Sequence, residues 1–165
     1  MNAVTVRLGD DATSVDLDGQ CHVIPLGAVS LSSAVFVSDP PRPEELTNAI
    51  GAVVDYLDDM LRALPGAVGA DEVGIVGQHA EVIAAVEFGG NPPLPFSLGR
   101  AAAEDVFRTV ATESSVDRAR NPGLPAEAVD TIVAACCIVV AFMRHLHLDT
   151  VDLRHLDEVD LGRPS

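Results

Sequence analysis

The sequence predicts an α/β domain in which a five-stranded mixed β-sheet is flanked by helices. Two observations carry this prediction. Three short stretches rich in β-branched residues follow one another at the N-terminus, and from residue 43 onward long segments of helical periodicity alternate with two short apolar stretches. With 165 residues and 48% hydrophobic composition, the chain has the size of one domain with a substantial core.

The first part of the chain predicts an antiparallel meander. Ala3–Leu8, Ala12–Asp18 and Cys21–Leu26 alternate apolar and polar residues over strand lengths. Asp18-Gly19 between the second and third segments is typical of a tight hairpin turn. Three sequential strands are therefore expected.

The middle of the chain predicts a helix, a strand and a second helix. Pro43-Glu44-Glu45 opens the first helix with acids in its first turn, and apolar residues recur at helical spacing up to Pro65. Glu72–Val76 is predicted to be a short buried strand that leads into a helix over residues 78–88. Residues 89–95 are a loop by composition.

A further helix is predicted from Ser97, as its N-cap, to about Glu113. Arg100, Glu104 and Arg108 would form two ion pairs at i,i+4 spacing on its exposed face.

The last segments predict a long apolar helix and a final strand. The helix runs over Ala126–His147 and the strand over Thr150–Leu153. Residues 1–155 are thus interpreted as a single domain, and residues 156–165 as an acidic C-terminal tail.

The charge of the chain excludes several classes of partner. A formal net charge of −15 and an isoelectric point near 4.4 make nucleic acid, anionic membrane surfaces and polyphosphate poor ligands. Residues 1–20 do not resemble a signal peptide. The longest apolar run, residues 132–143, is shorter than the roughly 20 residues that span a bilayer. A soluble, cytoplasmic protein is expected.

Cysteine and histidine spacing does not indicate a metal centre. Cys21, Cys136 and Cys137 lack ligand spacing, and the vicinal pair is expected in the core. His145 and His147 lie two apart at a helix end, where their rings would splay. The acidic N-terminal hairpin is expected to be a solvated face, since it lacks the spacing of a calcium loop.

Four motifs give the most specific information. Residues 6–15, V-R-L-G-D-D-A-T-S-V, resemble the D-I-G-G-G-S-T-E phosphate hairpin of the Ppx/GppA phosphatases, and residues 24–31, I-P-L-G-A-V-S-L, resemble their L-P-L-G-A-V-R-L. Residues 73–85 are similar to the second glycine loop of that family, and residues 122–135 to its P-G-L-P-x-E-R-A-D motif. The resemblance implies the second lobe of the actin-like ATPase fold, a ribonuclease H-like lobe.

The same comparison indicates that the phosphate chemistry is degenerate. In the family the hairpin glycines admit phosphate to backbone N–H groups, and the carboxylates serve metal and water. Here Arg7 and Ser14 stand where the signature has carboxylates, and Asp10 and Asp11 stand where it has glycines. Only two positions of the signature are kept, Gly9 and Thr13. A carboxylate about 4 Å from a phosphate opposes binding by roughly 4 kcal/mol at an effective dielectric near 20.

The other motifs also keep their apolar and turn positions and lose polar ones. In the second loop Gly77 remains, but one glycine and the hydroxyl-bearing residues of the family are gone. Gln78 and His79 follow Gly77, and the resemblance places His79 where the substrate of the family would lie. Asp130 keeps the acid of the last motif and is a further candidate for the cleft.

The resemblance therefore implies a non-catalytic phosphatase-like protein that serves as an interaction or regulatory module. We expect no catalytic residue, no metal and no cofactor, weak or absent binding of polyphosphate and nucleotides, and a homodimer or a protein partner. Three alternatives remain open. The first is that the chain is half of a split exopolyphosphatase or (p)ppGpp phosphohydrolase, which needs a separate first lobe and Mg²⁺. The second is a nucleotide-binding module without hydrolysis. The third is an evolutionary remnant.

Overall fold

The computed structural model describes residues 2–156, and these form one mixed sheet with helices packed against it. The strands are β1 (Ala3–Leu8), β2 (Thr13–Leu17), β3 (Gln20–Ile24), β4 (Glu72–Val76), β5 (Phe96–Gly99) and β6 (Thr150–Arg154). The helices are α1 (Ala28–Val35), α2 (Pro43–Ala63), α3 (Gln78–Phe88), α4 (Arg100–Thr112), α5 (Ser115–Arg118) and α6 (Ile132–His145). Apart from Leu156, the expected acidic tail lies outside the described residues.

The strands are arranged in the order β3-β2-β1-β4-β6-β5. β1 pairs antiparallel with β2, and β2 with β3, which confirms the predicted meander. Asp18 and Gly19 have φ angles of 51° and 87° at the turn between β2 and β3. β1 and β4 are parallel, as are β4 and β6, so β1 and β4 end at the same edge of the sheet.

The core lies between the sheet and the helices, with α6 at its centre. Alternate residues of β1 and β2 are buried, as period-2 patterning requires. All residues of α6 from Ile132 to Met143 are buried, and α6 packs against α1, α2, α3 and α4. The predicted apolar helix is therefore the central helix of the domain, and Cys136 and Cys137 lie in the core, as predicted.

The sheet has six strands among the described residues, and the prediction of five was wrong. The additional strand is β5, which pairs antiparallel with β6 on the edge of the sheet. Its four residues follow a proline-rich loop, and their pairing depends on a strand that is more than 50 positions away in sequence. Ser97 therefore lies within β5 and does not cap α4, which begins after Gly99.

Other local predictions are also corrected. The short helix α1 was not predicted, and the segment from Ala126 is a 3₁₀ turn over Ala126–Ala128 followed by α6. The ion pairs expected within α4 are replaced by contacts with other partners: Arg144 donates to both carboxylate oxygens of Glu104, at 2.8 and 2.7 Å. Glu104 therefore pairs with a residue on α6 and not with the arginines at i,i+4 spacing on its own helix.

Candidate ligand cleft

The β1–β2 hairpin is fixed by the N-terminus of α1. The N–H of Ala28 donates to the Gly9 carbonyl at 3.0 Å, and the N–H groups of Val29 and Ser30 donate to the Asp10 carbonyl at 2.9 and 3.1 Å. A helix N-terminus offers unpaired N–H groups that otherwise favour an anion. At α1 three of these groups are already used by carbonyl oxygens of the hairpin.

Gly27 makes this close contact between hairpin and helix possible. A Cβ at this position would overlap the carbonyl group of Asp10 and the oxygen of Gly9. The hydroxyl of Ser30 accepts a hydrogen bond from the Gly27 N–H at 2.9 Å. Residues 24–31, which resemble the L-P-L-G-A-V-R-L motif, therefore hold the hairpin in place.

The second loop joins β4 to α3 at the same edge of the sheet. Gly77 has a φ of 118°, a conformation that L side chains rarely adopt, and a Cβ there would lie 3.0 Å from the Leu8 carbonyl oxygen. Because β1 and β4 are parallel neighbours, the hairpin and the second loop emerge side by side. The glycine is needed for the turn whether or not a phosphate binds.

One side-chain contact connects the two loops. Nε2 of His79 lies 2.7 Å from Oδ1 of Asp10. The His79 side chain is 10% exposed, whereas the Asp10 side chain is 68% exposed. The imidazole thus forms the buried side of the contact and the carboxylate the solvent side.

A cavity of about 460 Å³ lies between these loops. Much of its wall is apolar, because Val23, Val76 and Leu156 contribute to it along with the ends of β1 and β4. The predicted site residues that line it are Gly9, Asp10, Ser14, Gly77, Gln78 and His79. The structure therefore brings most residues of the two motifs that resemble phosphate loops to one concavity.

Three predicted residues lie elsewhere. Thr13 is buried, and its hydroxyl donates to the Leu26 carbonyl at 2.8 Å. Asp11 is exposed at the hairpin tip and does not line the cavity. Asp130 lies at a second cavity, where its carbonyl accepts a hydrogen bond from the Ser32 hydroxyl at 2.8 Å.

The donors at the hairpin do not fit a catalytic divalent cation. By the motif resemblance Arg7 and Ser14 stand in place of carboxylates, and the one carboxylate that lines the cavity among the described residues, that of Asp10, contacts His79. Within residues 2–156, no three His, Cys, Asp or Glu side chains are grouped so as to hold a metal ion. The expectation of a metal-free protein stays a prediction.

The two histidines at the end of α6 differ in their surroundings. Nε2 of His145 lies 2.7 Å from Oδ1 of Asp58 on α2, whereas His147 is exposed with a φ of 56°. Among the described helices, no segment is long and apolar enough to cross a membrane.

Sequence reasoning placed Asp10 and His79 in one cleft but missed their contact. The pairing depends on the register of β1 and β4, which sets the two loops side by side. Sequence reasoning also missed the apolar wall of the cavity. Val23 of β3 and Leu156, which follows β6, contribute to this wall from elements outside the two motifs. The alternation of β3 assigns Val23 to one face of the sheet but gives no sign of a cavity.

Comparison with known proteins identifies the fold. No protein-family model matches the sequence, and no curated protein matches it significantly. Solved structures do match. The type II variant of the Aquifex aeolicus Ppx/GppA phosphatase superposes with a TM-score of 0.83 at 19% identity, over 93% of this chain and 53% of that chain.

Two further structures agree. An exopolyphosphatase-like protein gives a TM-score of 0.87 at 14% identity, with coverage of 94% of this chain and 55% of that one. An exopolyphosphatase from Cytophaga hutchinsonii gives 0.74 at 12% identity, with coverage of 93% and 53%.

The chain therefore has the fold of part of a Ppx/GppA phosphatase and spans about half the length of these proteins. The predicted resemblance and the predicted fold class are confirmed at this level, apart from the number of strands.

Proposed function

We propose that the chain is a non-catalytic relative of the second lobe of Ppx/GppA phosphatases and serves as an interaction or regulatory module. The observation that carries the proposal is the contact of His79 with Asp10 across the two loops that the motif resemblance assigns to phosphate. An acid in this place repels the anion that such loops would hold.

The hairpin backbone supports the same proposal. The carbonyls of Gly9 and Asp10 accept hydrogen bonds from the first N–H groups of α1. Oxygen atoms thus satisfy donors that would otherwise favour an anion. Gly27 and Gly77 are needed for close backbone contacts at the two loops. Their presence in the sequence therefore does not require that the loops bind phosphate.

A nucleotide-binding module without hydrolysis is the second candidate. The concavity of about 460 Å³ favours it, because apolar walls beside a loop-rich rim suit a base or a sugar. The carboxylate of Asp10 opposes this candidate where a phosphate would approach the hairpin.

Calorimetric titration separates the two candidates. Guanosine tetraphosphate, ATP and inorganic polyphosphate are titrated into the purified chain with Mg²⁺ present. We expect dissociation constants in the millimolar range or no heat of binding. A micromolar constant for a nucleotide would favour the binding module, and one for polyphosphate would contradict our account of the hairpin.

The proposed module needs a partner, for which a second copy of the chain is one candidate. Large apolar side chains are exposed at several places among the described residues, and the acidic excess would keep an assembly soluble. Sedimentation velocity over a concentration series measures self-association directly. A monomer at all concentrations would exclude the homodimer and leave a different protein as the partner.

A further inference from the structure

A second cavity, of about 320 Å³, lies between α1, the loop from α1 to α2, and α5. It shares no lining residue with the hairpin cavity. Arg118, Asp39 and Asp130 form its charged part, and several serine hydroxyls surround them. The motifs of the phosphate cleft do not account for this group of residues, except for Asp130.

Arg118 is buried but keeps a donor for a ligand. Its side chain is 7% exposed. Nε donates to the Val129 carbonyl, and Nη1 donates to the carbonyls of Val110 and Glu113. Nη2 forms an ion pair with Asp39, 3.7 Å from Oδ1, and within residues 2–156 it makes no hydrogen bond. Among the described residues, the one buried polar side-chain atom without a hydrogen-bond partner is Oε1 of Glu113, so Nη2 of Arg118 is open to the cavity and can donate to an acceptor oxygen there.

The charges around Arg118 disfavour an anion as that acceptor. Asp39 accepts hydrogen bonds from the Ser115 hydroxyl at 2.7 Å and from the Ser115 N–H at 2.8 Å. These two bonds hold the pKa of Asp39 below its ordinary value, so the carboxylate remains ionised. The exposed acid Asp130 also lines the cavity, so two carboxylates and one guanidinium belong to it. An uncharged carbonyl oxygen satisfies Arg118 without this repulsion.

Two exposed apolar side chains lie on segments that line the cavity. Val37 lines it and is 88% exposed, and Val116, which follows Ser115 on α5, is 64% exposed. Asp130 offers a negative charge to a cation on the same surface. Apolar contact, a donor open to the cavity and an exposed acid together match a peptide segment that carries both an apolar and a basic side chain.

We propose that this cavity binds a short segment of a partner protein in which a basic residue adjoins an apolar one. A main-chain carbonyl of the segment accepts a hydrogen bond from Nη2 of Arg118, the basic group faces Asp130, and the apolar side chain covers Val37. The net charge of −15 favours a basic partner. The inference rests on the proposed interaction role but uses none of the residues of the hairpin cavity.

The direct test is a titration of ¹⁵N-labelled protein, followed by NMR, with N-acetyl-leucyl-arginine amide as the probe. We expect shifts of the Arg118 Nε–H signal and of the Val37 and Ser38 backbone signals. The acidic analogue N-acetyl-leucyl-glutamate amide is the matched probe, and inorganic phosphate is the third arm. Both should bind more weakly than the basic probe or fail to bind.

Exposed positions supply variants that leave the fold intact. Asp130→Asn should weaken binding of the basic probe about threefold, as expected for an exposed ion pair. Val37→Ser should weaken it roughly fivefold through lost apolar contact. Asp55→Asn and Val68→Ser are matched exposed controls on other surfaces and should leave the affinity unchanged.

Several results would overturn the inference. They are an unshifted Arg118 signal with the basic probe, an equal or stronger response to the acidic probe or to phosphate, and an affinity that Asp130→Asn does not change. Release of phosphate from polyphosphate would contradict the non-catalytic role and would leave a positive peptide result standing. The two proposals can therefore fail separately.

Discussion

His79 on α3 contacts Asp10 on the β1–β2 hairpin, with 2.7 Å between Nε2 and Oδ1, and so connects the two loops of the cleft. His145 and Asp58 form a matched pair at the same distance, but the His145 side chain is 28% exposed and that of His79 only 10%. The two pairs allow the effect of histidine burial to be compared at the same contact distance.

We predict that His79→Ala lowers the free energy of unfolding by about 1–3 kcal/mol, through lost packing and a lost hydrogen bond. His145→Ala should cost less, because its side chain already meets solvent. Urea denaturation measures both. A double-mutant cycle of His79 with Asp10 should give a coupling below about 1 kcal/mol, since Asp10 is exposed. Equal effects of the two histidines would contradict this account.

A second prediction concerns the contact of the hairpin with α1. Gly27→Ala should lower the free energy of unfolding by about 1–3 kcal/mol or more, because its methyl group overlaps the Asp10 carbonyl. Gly51→Ala is the control on α2, where a Cβ meets no atom within 4 Å. It should stabilise the protein by about 0.5–1 kcal/mol. Thermal or urea denaturation of the two variants would reveal opposite signs if the contact is as described.

A third prediction concerns stability in acid. Burial by itself raises the pKa of Glu45, but the N–H groups of Val37, Arg42 and Ser38 donate to its carboxylate and lower the pKa to about 2. A depressed pKa contributes stability above the ordinary value of 4.5, and this contribution is lost as the pH falls toward 2. Glu45→Gln should therefore be less stable than the native chain near neutrality, and the difference should shrink below pH 4.5.

Denaturation curves at a series of pH values provide the measurement for Glu45. Glu44→Gln is the matched control, because Glu44 is exposed in the same helical turn. A stability difference between native protein and Glu45→Gln that stayed constant from neutrality to pH 2 would argue against the three hydrogen bonds.

A fourth prediction restores the phosphate loop in part. The double change Asp10→Gly with Asp11→Gly removes two carboxylates from the hairpin. Repulsion between a carboxylate and a phosphate about 4 Å away amounts to roughly 4 kcal/mol at an effective dielectric near 20. Solvent reduces this repulsion here, because both acids are exposed. We expect the affinity for polyphosphate to rise about tenfold, or roughly 1.4 kcal/mol, by calorimetry. Asp18→Gly, in the turn between β2 and β3, is the control. An unchanged affinity in the double variant would refute the alignment of residues 6–15 with the phosphate hairpin of the Ppx/GppA phosphatases.

The sequence predicted the meander, the buried helix and the two cleft loops, because each leaves a local signal. Alternation marks β1 and β2, the Asp18-Gly19 pair marks a turn, and apolar length marks α6. β5 escaped prediction because a four-residue edge strand is stabilised by its partner β6 and not by its own composition. Periodicity was likewise unable to show that Glu104 would pair with Arg144 on another helix.

The candidate site was predictable only in part, for the same physical reason. Glycines and acids of the hairpin were identified because residues 6–15 resemble the phosphate hairpin of the Ppx/GppA phosphatases. The contact of Asp10 with His79 and the ion pair of Arg118 with Asp39 depend on packing between segments that are remote in sequence. Neither relationship has a local pattern.

Release of phosphate is the most direct measure of the central claim, that this chain keeps the fold of part of a Ppx/GppA phosphatase without its chemistry. Purified chain is incubated with polyphosphate, guanosine pentaphosphate or guanosine tetraphosphate in the presence of Mg²⁺ or Mn²⁺, alone and with a separately expressed first lobe of a Ppx/GppA phosphatase. We predict no phosphate release above that of heat-inactivated protein in either arm. Turnover by the chain alone, or turnover that appears only when the first lobe is added, would contradict the claim.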